Sequence, residues 1–321
     1  MAQFRIISTL GPASESQTFV DLCVRLGQPY VRVNGSHLSD TALERVLAFL
    51  KGFPVSVTLD LQGSKRRIGQ LPEPLMLRAG SSVLLVLGEC APVGAIPMPD
   101  ADLFAQIIAG DLLVLMDRQV ELLVEDVAAN VITARVLKAA PLRARVGVHI
   151  VNKPLLLKGL PEAQVRQVAL AQKYDVAALA LSFVSQAAEL IVLWDHCESL
   201  KYGPQLIAKL ERPEAISALP SIAAVADELW LCRGDLGAMV SARELAPLQF
   251  KVLREAAEAN VPCVVAGQVF HHLTSHDEPT RSEVVHLAEI QARDACGIVL
   301  SDETAIGIDP VRTLTQVVAL L

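Results

Sequence analysis

Eight short aliphatic runs, each followed by a turn and a stripe of helical period, predict an α/β fold: a (β/α)8 TIM barrel with a small β domain inserted after the third strand. Strand-like runs alternate with stretches whose apolar residues fall at i, i+3, i+4 and i+7, as in a parallel sheet covered by helices. The alternation breaks once, over residues 64–152. Aromatic residues make up 4% of a chain that is 52% hydrophobic, so its core is built from the Val, Leu, Ile and Ala that suit buried parallel strands.

The elements follow in order. The first strand is predicted over Arg5 to Thr9, and Phe19, Leu22, Cys23 and Leu26 form the first helical stripe. Strands over Tyr30 to Asn34 and Val55 to Asp60 flank a second stripe of Leu43, Val46, Leu47 and Leu50. Runs at Ser82 to Leu87, Leu112 to Met116, Val120 to Val124 and Val131 to Val136 are then separated by Gly, Asp, Pro or Asn and read as short strands of the inserted domain. Helical period returns at Pro161 to Gln172. Strands follow near Ala177 to Ser182, Gln205 to Lys209, Glu228 to Cys232, Pro262 to Ala266 and Gly297 to Leu300. Thr280 and Glu283 form a capping box that opens a helix. The last helix is expected over Pro310 to Leu321. Three strands before the insertion and five after it close a barrel of residues 1–63 and 153–321, near the roughly 250 residues such barrels use.

Composition removes several classes of function. Lys and Arg number 28 against 35 Asp and Glu, a formal charge of -7, which with few aromatics argues against a nucleic-acid partner. Mean hydropathy is +0.42, yet no stretch reaches the roughly 18 uninterrupted apolar residues of a membrane span. Cys23, Cys90, Cys197, Cys232, Cys263 and Cys296 lie far apart without C-x-x-C pairing and read as reduced thiols rather than zinc ligands or disulfides. With no secretory signal pattern after Met1, a cytoplasmic protein is expected.

In (β/α)8 barrels chemistry sits at the C-terminal ends of the strands. Here those ends hold Thr9, Asn34-Gly35-Ser36-His37, Asp60, Lys209 with Glu211, Arg233-Gly234-Asp235, Gln268 and Ser301-Asp302-Glu303-Thr304. Glu211 and Asp235 follow consecutive strands, where two hard carboxylates suit Mg²⁺ or Mn²⁺; a cap or ion pair is the plain structural alternative. Arg32 and Arg67, near strand-end turns, with Lys65, Lys209 and Arg233 at the same rim, fit an anionic substrate held by forked guanidiniums, against surface ion pairs as the alternative. His271, His272 and His276 read as solvated loop residues, and Cys232 and Cys263 as inert buried thiols.

These residues resemble the pyruvate kinase family. The likeness is carried in order by Ser8-Thr-Leu-Gly-Pro-Ala-Ser14, Arg32-Val-Asn-Gly-Ser-His37, Asp60-Leu-Gln-Gly-Ser-Lys-Arg-Arg-Ile-Gly69, Ala208-Lys-Leu-Glu211, Arg233-Gly-Asp-Leu-Gly237, Pro279-Thr-Arg-Ser-Glu283 and Leu300-Ser-Asp-Glu-Thr-Ala305. It implies phosphoryl transfer between phosphoenolpyruvate and ADP, giving pyruvate and ATP, with residues 64–152 as a shortened lid domain and without the family's C-terminal allosteric domain. By this resemblance Glu211 and Asp235 are the metal ligands. Lys209 and Arg32 stabilise the moving phosphoryl group with Arg67, and Gly234, Asp235, Arg233 and Ser301 meet the substrate. His37, Arg67 and Pro12 face the nucleotide. Asn34, Ser36, Asp60 and Lys65 form the monovalent-cation side, and Lys65, standing where K⁺-dependent members have glutamate, implies that K⁺ is not required. A barrel-to-barrel homodimer is also expected.

The chain departs from the family pattern at three places. Gly267 replaces a threonine associated with protonating the enolate, Ile306 replaces a lysine, and Val285-His286 replaces Ser-Asp. Two further functions therefore stand beside the kinase: a nucleotide-independent decarboxylase, lyase or phosphatase acting on an α-keto acid or enol phosphate, and a binding protein without turnover.

Overall fold

The computed structural model describes all residues except 1, 2, 65, 117, 152 and 154–158, and gives only the backbone of residue 37. It opens with β1 (Arg5–Leu10), α1 (Gln17–Arg25), β2 (Tyr30–Asn34), α2 (Asp40–Leu50) and β3 (Ser56–Leu61). Then come β4 (Leu75–Met76), β5 (Ser82–Leu87), β6 (Ile96–Met98), α3 (Ala101–Phe104), β7 (Leu112–Leu115), β8 (Val120–Val127), β9 (Val131–Lys138), β10 (Pro141–Leu142) and β11 (Val148–Ile150). Helix and strand alternate again through α4 (Glu162–Lys173), β12 (Ala178–Leu181), α5 (Ala187–Ser199), β13 (Gln205–Leu210), α6 (Pro213–Ser217), α7 (Leu219–Ala223) and β14 (Glu228–Cys232). The chain closes with α8 (Arg233–Met239), α9 (Ala242–Glu258), β15 (Cys263–Ala266), α10 (Arg281–Gln291), β16 (Gly297–Leu300), α11 (Asp302–Ala305) and α12 (Pro310–Val318).

Eight strands form a closed barrel in the order β1-β16-β15-β14-β13-β12-β3-β2. Every neighbouring pair is parallel. The (β/α)8 barrel expected from the sequence is the fold observed. Differences are local. The helix expected to reach Leu321 ends at Val318, Pro220 at the start of α7 divides the β13–β14 connection into two short helices, and α8 follows β14 without a loop.

Side chains alternate between strand faces, and this separates two cores. Outward residues such as Val31, Leu59, Leu179, Ala208, Leu229, Val265 and Ile298 pack with the helix stripes of Phe19, Leu43, Leu47, Leu190 and Leu253. Inward residues Ile7, Ala178, Ala180, Ile207, Trp230, Val264 and Val299 fill the barrel. Small alanines on β12 leave room for the buried Trp230 indole, which donates to Glu228 Oε1 at 2.6 Å. At the helix-to-strand turns the chain passes through left-handed residues Gly27, Asp175, Lys201, Asn260 and Asp294, each shortly beyond its helix, as helix C-termini favour. Thr280 accepts from Glu283 N at 3.2 Å while the Glu283 carboxylate accepts from Thr280 N at 2.7 Å, so the predicted capping box opens α10.

Backbone packing divides the chain into two units. One consists of Met1–Gly63, Leu156–Leu236 and Val240–Leu321, and the other of Ser64–Leu155 with Gly237–Met239. The second unit has a six-stranded sheet in the order β11-β7-β8-β9-β5-β6 and a two-stranded sheet of β10 and β4. Its own core includes Leu85, Ile96, Leu113, Leu122, Ile132 and Val136. No helix among the described residues is long and apolar enough to cross a membrane.

Candidate active site

The alternation that packs the barrel also builds its polar end. Continuing the inward face beyond Ile7, Ala180 and Ile207 by two residues reaches Thr9, Ser182 and Lys209, and two more along β13 reaches Glu211. In the neighbouring strands Asn34 pairs in register with Asp60, and Asp60 with Ala180. The result is one buried network. Arg32 donates from Nε and Nη2 to Asp60 Oδ2 at 2.8 and 2.6 Å, and from Nη1 to Thr9 Oγ1 at 3.0 Å. Lys209 Nζ lies 3.1 and 2.9 Å from the two Asp60 oxygens, donates to Ser182 Oγ at 2.7 Å and stands 3.0 Å from Glu211 Oε1. Ser182 Oγ donates to Asp60 Oδ1 at 2.9 Å, and Phe183 N donates to Glu211 Oε2 at 2.8 Å.

Two cations and two carboxylates thus balance in a site where Asp60 is 1% exposed and Lys209 7%. Burial alone raises a carboxyl pKa, but Lys209 and Arg32 outweigh it and hold Asp60 below the usual carboxylate range. Burial likewise works against a charged lysine, and Asp60 and Glu211 reverse this, so Lys209 remains an ammonium well above its ordinary range. The nearby Cys232 thiol is pushed far up, chiefly by burial, as suits the inert thiol expected.

Unusual backbone clusters at this end of the barrel. Gly63, just beyond β3, has φ +61°, and a β-carbon there would come within 1.8 Å of Ser182 O. Phe183, just beyond β12, has φ +59°, rare for a bulky residue, and this turn aims its N–H at Glu211. Gly267 and Gln268 beyond β15 have φ +85° and +54°. Two buried glutamines of α4 hold the turns from behind. Gln164 accepts from Gly63 N at 3.3 Å and donates to Gly63 O at 3.0 Å, and Gln167 donates to Gly35 O at 2.9 Å.

The structure brings Arg32, Asp60, Lys209 and Glu211 together. Asn34 Oδ1 accepts from Ser36 N and Oγ at 3.1 and 2.7 Å. Asp235 is half-buried in the first turn of α8, after the strand next to Glu211's, and Gly234 beside it is exposed. Ser301 N donates to Glu303 Oε2 at 2.7 Å. Pro12 is exposed in the turn after β1. Arg67 belongs to the second unit, where it donates to Arg145 O at 3.0 Å. Lys65 and the side chain of His37 lie outside the described residues. Arg233 is engaged elsewhere: its Nε and Nη2 donate to Gly267 O at 3.1 and 2.8 Å, and its Nη1 faces Gln249 on α9 and His286 on α10. Ser182, Gln164 and Gln167 join the site without being among the residues that the sequence marks. Strand parity is the signal for Ser182, and for the glutamines it is their place on the same helical stripe as Val168 and Ala171.

A family model described as pyruvate kinase, barrel domain, matches residues 1–314. The chain belongs to the pyruvate kinase family. It is similar to the pyruvate kinase of Mycobacterium tuberculosis, 29% identical over 325 residues that cover 98% of this chain and 69% of that protein. The pyruvate kinase of Agrobacterium vitis is 30% identical over 319 residues, 97% of this chain and 67% of that protein. That of Thermococcus litoralis is 28% identical over 318 residues, with 97% and 67% covered. Against the family pattern Gly267 is more than a missing hydroxyl. A β-carbon at 267 would stand 2.9 Å from Gly234 N, on a backbone in the left-handed region. Restoring the threonine, Gly267→Thr, is therefore expected to destabilise the protein by at least about 1–2 kcal/mol and to lower rather than raise activity. Urea denaturation beside a turnover assay tests this, and a variant as stable as wild type and more active would contradict it.

Proposed function

We propose that this member of the pyruvate kinase family transfers a phosphoryl group between phosphoenolpyruvate and ADP, forming pyruvate and ATP, with Mg²⁺ or Mn²⁺ as its metal. The observation that carries the reading is the Lys209 ammonium, held charged at the inner rim of a family barrel by Asp60, Glu211 and Ser182. In the reaction the bond from phosphorus to the enol oxygen breaks, a bond to the terminal phosphate oxygen of ADP forms, and the enolate takes a proton at carbon to become pyruvate. Such transfer asks the protein mainly for position and positive charge. Lys209 and Arg32 supply the charge. Gly234, Asp235 and Ser301 meet the substrate carboxylate, with Arg233 behind them, and His37 and Pro12 form the nucleotide side.

Glu211 and Asp235 would hold the metal. They are hard oxygen donors on neighbouring elements, Glu211 just beyond β13 and Asp235 in the first turn of α8. A metal held by two carboxylates keeps positions for substrate oxygens and, when bound, offsets charge on the enolate and phosphoryl oxygens.

K⁺ is expected to be dispensable. Asp60 is already engaged by Lys209 and Arg32, and Asn34 Oδ1 by Ser36. Turnover in tetramethylammonium buffer should match that in K⁺ within about twofold, since by the family resemblance the Lys65 ammonium stands in for the ion's charge. A tenfold or larger fall without K⁺ contradicts this.

Gly267, without a hydroxyl for the enolate, and Ile306, 59% exposed where the family has lysine, favour a second reading: a nucleotide-independent enzyme acting on an α-keto acid or enol phosphate. Phosphorus NMR of the protein with phosphoenolpyruvate and Mg²⁺, with and without ADP, separates the two. ATP formed only with ADP supports the kinase, and loss of substrate without ADP supports the alternative. No change in either overturns phosphoenolpyruvate as substrate.

A further inference from the structure

Arg233, Gly267 and His286 come from three different elements and meet on the helix side of the barrel end. Arginine has donors only. The histidine nitrogen that faces Arg233 Nη1 is Nε2, so it must be the acceptor. This requires a neutral ring protonated at Nδ1, which lies 3.8 Å from Glu289 Oε2. On its other edge the same guanidinium gives two bonds to Gly267 O. That carbonyl reaches the guanidinium from a backbone at φ +85°, with Gln268 also left-handed. Glycine at 267, arginine at 233 and histidine at 286 are therefore parts of one arrangement.

We infer that His286 is a positioning residue: as a neutral imidazole accepting from Arg233 it holds the guanidinium against Gly267 O, and so sets the Gly267–Gln268 turn and the backbone at Gly234 beside it. This deepens the proposed function, since it rests on that barrel end being where substrate binds. Protonation would turn the acceptor into a cationic donor facing a cation, and the contact would break. Burial first, and then Arg233, lower the pKa of His286, while Glu289 acts the other way. Glu289 is itself 3.5 Å from Arg293, and Glu303 bears on Arg233. Because the folded state resists this proton, the contact contributes fully above the ordinary imidazole pKa of about 6.5 and is progressively lost as pH falls below it.

The test uses the full chain and the variants His286→Gln, whose amide oxygen can accept without titrating, and His286→Ala. Nitrogen-15 NMR of the imidazole at pH 7.5 should show Nδ1 protonated and Nε2 bare. With phosphoenolpyruvate, His286→Ala should raise KM about tenfold while kcat stays within about threefold. His286→Gln should restore KM and remove the part of the acid limb that His286 causes. Urea denaturation should show wild type losing stability from pH 7 to pH 5.5 more steeply than His286→Gln. An imidazolium or an Nε2–H at pH 7.5 overturns the inference, as does an unchanged pH dependence of stability in His286→Gln. If wild type does not turn over phosphoenolpyruvate, the functional reading fails by itself, and the tautomer and denaturation results still decide the role of His286.

Discussion

Lys209→Met is expected to lower kcat for phosphoryl transfer by at least about 10²- to 10³-fold, the range seen when one preorganised donor to a developing negative charge is removed. Methionine keeps an unbranched stem of similar length at a position only 7% exposed and removes the ammonium with its hydrogen bonds. Glu211, Asp60 and Ser182 hold the ammonium in place before substrate arrives, so no reorganisation is needed when charge develops. In wild type Asp60 is also paired with Arg32 at 2.6 and 2.8 Å, a contact that the substitution does not remove, so the variant is expected to fold. A steady-state assay of ATP formation, with near- and far-ultraviolet circular dichroism to show the fold intact, measures the effect. Turnover within tenfold of wild type would remove Lys209 from the mechanism.

The sequence made legible what depends on strand parity. The alternation in Tyr30–Asn34 places Arg32 on the same face as Asn34, and that in Gln205–Leu210 places Lys209 on the same face as Ile207, so the inward charges follow from counting. Glu211 follows as well, two residues beyond Lys209. What parity cannot fix is the direction of a long side chain at a strand end. Arg233 stands beside Gly234 and Asp235 in the chain, yet its guanidinium is drawn to a carbonyl 34 residues away and a histidine 53 residues away. That choice depends on the left-handed turn at Gly267, and a glycine in sequence does not declare its φ. Gln164 and Gln167 are not legible in the sequence for a related reason: glutamine on a helix is ordinarily solvent-facing, and here two of them lie on the buried stripe because the turns at Gly63 and Gly35 have backbone groups to satisfy.

The same network makes Asp60→Ala the most destabilising substitution to be expected at the site, at about 3–5 kcal/mol, because it leaves buried cations without their shared anion. In wild type Asp60 accepts from Arg32, Lys209 and Ser182, and Glu211 alone cannot replace it on both cations. The pH dependence has a definite sign. Asp60 has a depressed pKa in the folded state, so its contribution is present above the unfolded carboxyl value of about 3.9 and is lost as pH falls through the lower folded value. Asp60→Ala should abolish that acid-range dependence while lowering stability at neutral pH. Combining it with Lys209→Met removes one of the two stranded cations, so the double variant should cost less than the sum of the single ones by roughly 1–3 kcal/mol. Urea denaturation of the four proteins at pH 7 completes the cycle. A cost below about 1 kcal/mol for Asp60→Ala, or strict additivity, would mean that the carboxylate is not what balances the barrel's inner charges.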